Sequence, residues 1–253
     1  MSTDKTLPDL AFDPSANILV RHVGLERQPL LIIDNVLKHP EDMVEYAAAH
    51  GDFQTPPETS YYPGLNGVLP TQYGPALVSA LRPLLGRHFG IGQKEKLTYE
   101  GFYGLSLRSG LSLNALQRIP HFDSPKPFRL AMVHYFCGPP FKGTAFYRHR
   151  TTQFETVDRH RIDLYRQTVF AELDQARPVE GQAHTEQAFY DETDTVDARC
   201  NRLIVYRSNV LHSGCLNETP LSSDPRSGRL TANSFVEIYR SGTAEAELGK
   251  GDF

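Results

Sequence analysis

His121-Phe122-Asp123 sets an imidazole and a carboxylate one residue apart. On an extended backbone such residues project to the same side, where both can grip one ion. Far downstream come His212 and then Arg229-Leu230-Thr231. Two imidazoles and one carboxylate can occupy one face of an octahedral iron and leave the opposite face open for a cosubstrate and oxygen. Pro120 before the pair and Ser124-Pro125 after it place it at a strand end, where the mouth of a barrel would present it to a ligand. His134, His149, His160 and His184 compete for the third position. Of these, His134 alternates with apolar neighbours as a satisfied core histidine would, and His149 and His160 lie among arginines in segments that read as solvent-facing. His212 follows the apolar run 203–206 and the turn-forming Ser208-Asn209 and precedes Ser213-Gly214, so it should emerge close to the end of a hairpin.

Arg229 extends the chemistry. An iron oxygenase that uses a dicarboxylate cosubstrate needs a cation at the far end of that molecule, and guanidinium binds carboxylate through two parallel charge-assisted bonds that lysine cannot reproduce. Arg229 and Thr231 share one face of a strand, so the threonine hydroxyl can add a donor to the same carboxylate.

The elements that must hold these residues are mostly strands. Residues 17–36 contain two short β-prone runs, and 42–50 read as a helix, with Pro40 in its first turn, Glu41 and Asp42 at its N-terminus and Gly51 after it. The proline-, glycine- and tyrosine-rich stretch 53–73 reads as an irregular covering loop, and 75–89 has helical apolar spacing despite Pro83. From 97 onward, 97–107, 128–137, 144–149, 202–206 and 230–239 carry β-branched and aromatic residues between turn-formers. Few helices lie between them, which predicts a mainly β protein with flanking helices and a jelly-roll, cupin-like double-stranded β-helix at its core. Within this plan 15–95 support the core, 97–240 form it, and 151–199 read as an insertion with a helix over 154–173 and an acidic loop over 191–197. That insertion is expected to cover the barrel mouth in part and to order on substrate binding.

Composition bounds the partners. The 253 residues suit a single domain, and a formal charge of −4 from 30 acidic and 26 basic residues gives no footprint for nucleic acid or an anionic membrane. A polar N-terminus without a signal-like apolar run predicts a cytoplasmic location, and the widely spaced Cys137, Cys200 and Cys215 predict neither a disulfide framework nor a zinc knuckle.

With these residues in place, the chain resembles the Fe(II)/2-oxoglutarate-dependent oxygenases, in particular their prolyl-hydroxylase-like branch and uncharacterised bacterial oxygenases. The resemblance runs over about 103–238. Its pattern of H-x-D, a strand ending in aromatics, a glycine-led strand, a distal histidine and a basic residue before a hydroxyl falls on His121 and Asp123, His134-Tyr135-Phe136, Gly143-Thr144-Ala145-Phe146, His212, and Arg229-Leu230-Thr231. It implies that His121, Asp123 and His212 hold Fe(II), that 2-oxoglutarate chelates the iron and is anchored by Arg229 and Thr231 with help from Tyr135, and that O2 is the oxidant. The implied outcome is hydroxylation of a small molecule or of a peptide or protein side chain. Asp123 argues against the related halogenases, which need that position vacated for halide. Two departures stand out: the segment between His212 and Arg229 contains Pro220, Asp224 and Pro225 and exceeds a compact turn, and 151–199 is larger than in simple members. Two other classes fit the same residues. One is a metal hydrolase, since three protein ligands and a water also make a catalytic zinc site. The other is a non-catalytic cupin-like binding protein.

Overall fold

The computed structural model describes residues 7–57, 62–107, 115–175, 186–216 and 221–239. A hairpin of β1 (Asn17–Val23) and β2 (Gln28–Asp34) leads into α1 (Pro40–His50), whose proline and acidic first turn suit a helix start and which buries Met43, Tyr46 and Ala47. After β3 (Gly64–Gly67) comes α2 (Tyr73–Phe89). Its buried stripe Tyr73, Leu77, Leu81, Leu85 and Phe89 repeats every fourth residue, Pro83 falls on the exposed side, and Gly90 closes the helix in the left-handed conformation. The remaining elements are β4 (Lys96–Ser106), α3 (Ala115–Arg118), β5 (Arg129–Tyr135), β6 (Thr144–His149), α4 (Ile162–Gln175), β7 (Tyr190–Val196), β8 (Arg202–Arg207), β9 (His212–Gly214) and β10 (Arg229–Tyr239).

The strands form two antiparallel sheets, a seven-stranded one in the order β1-β2-β8-β5-β10-β4-β3 and a three-stranded one in the order β7-β6-β9. From β4 onward the chain passes between them: β4 and β5 lie in the large sheet, β6 and β7 in the small, β8 in the large, β9 in the small and β10 in the large. This alternation is that of a double-stranded β-helix, so the molecule is mainly β with flanking helices, as the strand texture predicts.

Side chains alternate accordingly. Leu130, Met132, Leu203 and Val205 pack on the helix side with the α1 and α2 residues, whereas Ala131, Tyr135, Ile204 and Tyr206 turn inward and meet Phe146 and Val210. A third apolar cluster, with Phe122, Tyr165, Val169, Tyr190 and Leu211, joins α4 to the small sheet. Among the described residues, no helix is long and apolar enough to cross a membrane.

Three expectations change. The stretch 53–73 is not wholly irregular: β3 adds an edge strand that pairs with β4 from Gly64 opposite Ser106 to Gly67 opposite Tyr103, and its glycine-rich sequence hides it from a reading by β propensity. The acidic loop at 191–197 is for the most part β7, an edge strand of the small sheet. Its charges leave the edge unattractive to further strands, and they also mask it in the sequence. The helix starts at Ile162 rather than 154, because the preceding residues form a clamp on the β1–β2 turn. There buried Glu155 accepts the backbone N–H groups of Leu25 and Glu26 and pairs with Arg148, while Arg161 pairs with Glu26. The helix itself, α4, packs through Tyr165 and Val169 in one apolar cluster with Phe122, between the two H-x-D residues.

Candidate metal centre

The three predicted ligands, distant in sequence, meet as neighbours on a ladder. His121 and His212 form an isolated antiparallel bridge, each backbone N–H donating to the other's carbonyl at 2.8 Å, which brings their ring centroids to 4.5 Å. Asp123 is fixed two residues on by its N–H to the carbonyl of Ser208 at 2.8 Å. One ligand atom from each of His121, Asp123 and His212 lies within 4.8 Å of the others, and this is the one such cluster among the described residues.

The hydrogen bonds around the cluster decide what these atoms offer. His212 Nδ1 donates to the carbonyl of Val210 at 2.9 Å, which leaves Nε2 with its lone pair pointing at Asp123 Oδ2, 3.6 Å away. That separation is too long for a hydrogen bond, and Oδ2 is indeed buried without a partner. His121 Nε2 stands 3.8 Å from Asp123 Oδ1. Ligand atoms about 2.1 Å from a common ion sit roughly 3.0 to 3.4 Å apart, so each of the two His–Asp separations needs to contract by less than about 1 Å for the three to share one.

Electrostatics agree with a site built for a cation. Burial pushes the Asp123 carboxyl up to about 6, partly offset by His121 and Arg129, and burial pulls His212 down to about 4. His121 moves in the same direction, but its side chain is about half exposed (49%), so solvent moderates the shift. Two neutral imidazoles and an under-compensated carboxylate are the protonation states that metal ligation requires.

The competing histidines are elsewhere. His134 is fully buried on the helix side of β5, with Tyr73 Oη at 2.8 Å from Nδ1 and Asn201 Oδ1 at 3.2 Å from Nε2, the satisfied core residue its pattern predicts. His149 corrects its reading. It is buried rather than solvent-facing, with Thr152 Oγ1 at 2.9 Å and Glu172 Oε2 at 2.8 Å, because α4 closes over it. His160 is exposed, and His184 lies outside the described residues.

Arg229 and Thr231 share the inward face of β10, opposite Ser106 and Gly104 of β4. Only 5% exposed, Arg229 donates to the carbonyls of Lys142 (3.2 Å) and Gly143 (3.1 Å) and reaches Ser106 Oγ at 3.5 Å. Among the described residues it has no carboxylate partner. Tyr135 stands beside it: its ring centroid is 5.9 Å from the guanidinium carbon, its hydroxyl meets Thr144 Oγ1 at 2.6 Å, and burial holds its pKa up at about 12, so it is a neutral phenol. Thr231 Oγ1 donates to the Gly104 carbonyl at 3.4 Å. Gly104 is needed here for space, since a Cβ would lie 2.5 Å from both Tyr62 Oη and Asn233 Nδ2. The β-strand period of two could have flagged Ser106, which lies on the inward face of β4. Tyr62, on the segment read as a loop, carried no signal in the sequence.

A double-stranded β-helix with a His-Asp-His cluster between its sheets and a buried guanidinium on an inner strand is a candidate metalloprotein of the jelly-roll class. Residues 14–236 match the sequence profile of a family described as a family of unknown function (DUF6445), and the chain belongs to that family. It matches none of the curated proteins. Solved structures with a similar course include the non-heme alpha-ketoglutarate-dependent carbocyclase SnoK from nogalamycin biosynthesis, at 12% identity over 90% of this chain and 89% of that one, TM-score 0.44. HygX from Streptomyces hygroscopicus, with nickel and 2-oxoglutarate bound, is similar at 12% identity over 90% and 92%, TM-score 0.47. An N-substituted L-amino acid dioxygenase from Burkholderia ambifaria, in complex with alpha-KG, is similar at 10% identity over 85% and 84%, TM-score 0.37. What these three bind and catalyse is a property of those proteins. At such identities and TM-scores nothing about the chemistry of this chain follows from them.

Proposed function

We propose that this protein is an Fe(II)- and 2-oxoglutarate-dependent dioxygenase that hydroxylates an amino-acid side chain, free or in a peptide, or another small organic molecule. The observation that carries the metal assignment is the convergence of unprotonated ligand atoms: His212 Nε2 and the partnerless Asp123 Oδ2 face each other at 3.6 Å, a repulsive arrangement unless a cation lies between them. The buried Arg229, held by carbonyls and lacking a carboxylate partner among the described residues, favours a dicarboxylate cosubstrate over the metal-hydrolase reading, which leaves its charge without an anion to meet.

His121, Asp123 and His212 would hold the iron, which with 2-oxoglutarate and O2 supplies the oxidising chemistry. Arg229, with Thr231 and Tyr135 beside it, binds the distal carboxylate and thereby fixes the reach of the cosubstrate. The apolar wall of Ala131, Phe146, Ile204 and Val210 keeps bulk water from that ion pair and so strengthens it. His212 is held in one tautomer by Val210, which keeps its Nε2 lone pair directed at the metal position.

Succinate formation from 2-oxoglutarate in the presence of Fe(II) and candidate substrates tests the reading. His121→Ala, Asp123→Ala and His212→Ala should each abolish it while leaving the unfolding transition cooperative. Wild-type turnover in His212→Ala would remove that residue from the site.

A further inference from the structure

Tyr206 is 2% exposed, and its hydroxyl, which makes no hydrogen bond among the described residues, is the part that is not fully enclosed. Its position is specific. On the inward face of β8, its ring sits edge-on to His212 at 4.8 Å between centroids and packs on Phe146 at 5.2 Å. The Asp123 carboxylate and the Tyr135 hydroxyl are both near enough to act electrostatically on its hydroxyl. Tyr135 in turn stands beside the Arg229 guanidinium. Tyr206 therefore occupies the interval between the metal ligands and the arginine, and it does so with a donor that the protein leaves unused.

We propose that the Tyr206 hydroxyl is a further cosubstrate-binding group, donating a hydrogen bond to the dicarboxylate that spans from the metal to Arg229. This rests on the oxygenase reading above and adds to it a residue on β8. The fold has a reason to leave the donor unpaired: a partner supplied by a protein side chain would have to be displaced by each incoming cosubstrate, whereas a hydroxyl without a protein partner is free to donate on binding. Phe146 and His212 hold the ring from two sides, so the donor is preorganised and little rotamer entropy is lost when it is used.

Tyr206→Phe removes the oxygen and keeps the ring. Three measurements on wild type and variant decide the matter: Ni(II) affinity of the metal-free protein, calorimetric titration of 2-oxoglutarate into the Ni(II)-loaded protein, and the thermal midpoint without ligand. The expected result is unchanged Ni(II) affinity, 2-oxoglutarate binding weaker by at least ~10-fold, and a midpoint equal to or above that of wild type, because the lost hydroxyl had no protein partner. Equal 2-oxoglutarate binding by both proteins would overturn the Tyr206 assignment alone. A lowered midpoint or weakened Ni(II) binding in the variant would make Tyr206 a structural residue and overturn it as well. Failure of the Ni(II)-loaded wild type to bind 2-oxoglutarate at all would overturn the assignment together with the oxygenase reading.

Discussion

Replacing Arg229 by glutamine separates the charge of this residue from its hydrogen bonds. The guanidinium now donates to the carbonyls of Lys142 and Gly143 and has no carboxylate partner among the described residues, so its charge is met by no anion of the fold while its N–H groups are in use. Glutamine keeps an amide donor but is shorter, so one of the two carbonyls should lose its partner, costing about 1 to 3 kcal/mol of stability. The cosubstrate loses more. Removing one member of a buried, hydrogen-bonded charge pair costs about 2 to 5 kcal/mol, which corresponds to a ~30-fold to several-thousand-fold weaker 2-oxoglutarate affinity. Arg229→Lys should fall between, since the charge survives and the fork does not. Calorimetric titration of 2-oxoglutarate into Ni(II)-loaded wild type, Arg229→Gln and Arg229→Lys gives the three affinities directly. Near-identical values for wild type and Arg229→Gln would refute the anchor, whatever the variants do to stability.

Other outcomes follow from the packing and from the buried histidines. Phe122→Ala empties the contact with Tyr165 of α4, so it should cost about 3 to 5 kcal/mol in denaturant unfolding and weaken Ni(II) binding although all three ligands remain. Unchanged Ni(II) affinity in that variant would mean that α4 does not brace the ligand strand. His134, held near 4 by burial against 6.5 in the unfolded chain, binds its proton less readily when folded. The unfolded state therefore takes up more protons between those values, so stability is full above about 6.5 and falls as pH drops toward 4, by roughly 3 kcal/mol for this residue. His134→Gln should flatten the pH dependence of the unfolding free energy over that window, and a slope equal to that of wild type would contradict the assignment. Gly104→Val should impair 2-oxoglutarate binding and stability together, because its side chain would enter the space of Tyr62 and Asn233, and a wild-type titration curve would show that this wall lies away from the ligand.

The His-Asp-His cluster was legible in the sequence because the spacing is local for two of its members: H-x-D needs only the two-residue period of a strand to align His121 with Asp123. His212 was reachable by exclusion and by its place after a strand, but the cross-strand bridge that pairs it with His121 is a product of topology and leaves no mark in spacing. Arg229 and Thr231 were legible for the same period-two reason. Two kinds of residue escaped. Strands whose composition defies β propensity, glycine-rich β3 and acidic β7, are strands because of the neighbours they pair with, and a single sequence does not display those neighbours. Residues such as His149 and Tyr206 look ordinary in sequence, and their significance lies in what surrounds them: α4 buries the first, and the second carries an unpaired hydroxyl near the Asp123 carboxylate and the Tyr135 phenol.

The central claim is that His121, Asp123 and His212 converge on one metal ion that 2-oxoglutarate chelates. Anaerobic addition of Fe(II) and then 2-oxoglutarate, followed by visible absorbance, tests it most directly in wild type beside His212→Ala. A charge-transfer band that saturates at one Fe(II) per chain in wild type and is absent from His212→Ala is the predicted result. No band in wild type that has bound Fe(II), or an equal band in His212→Ala, would contradict it.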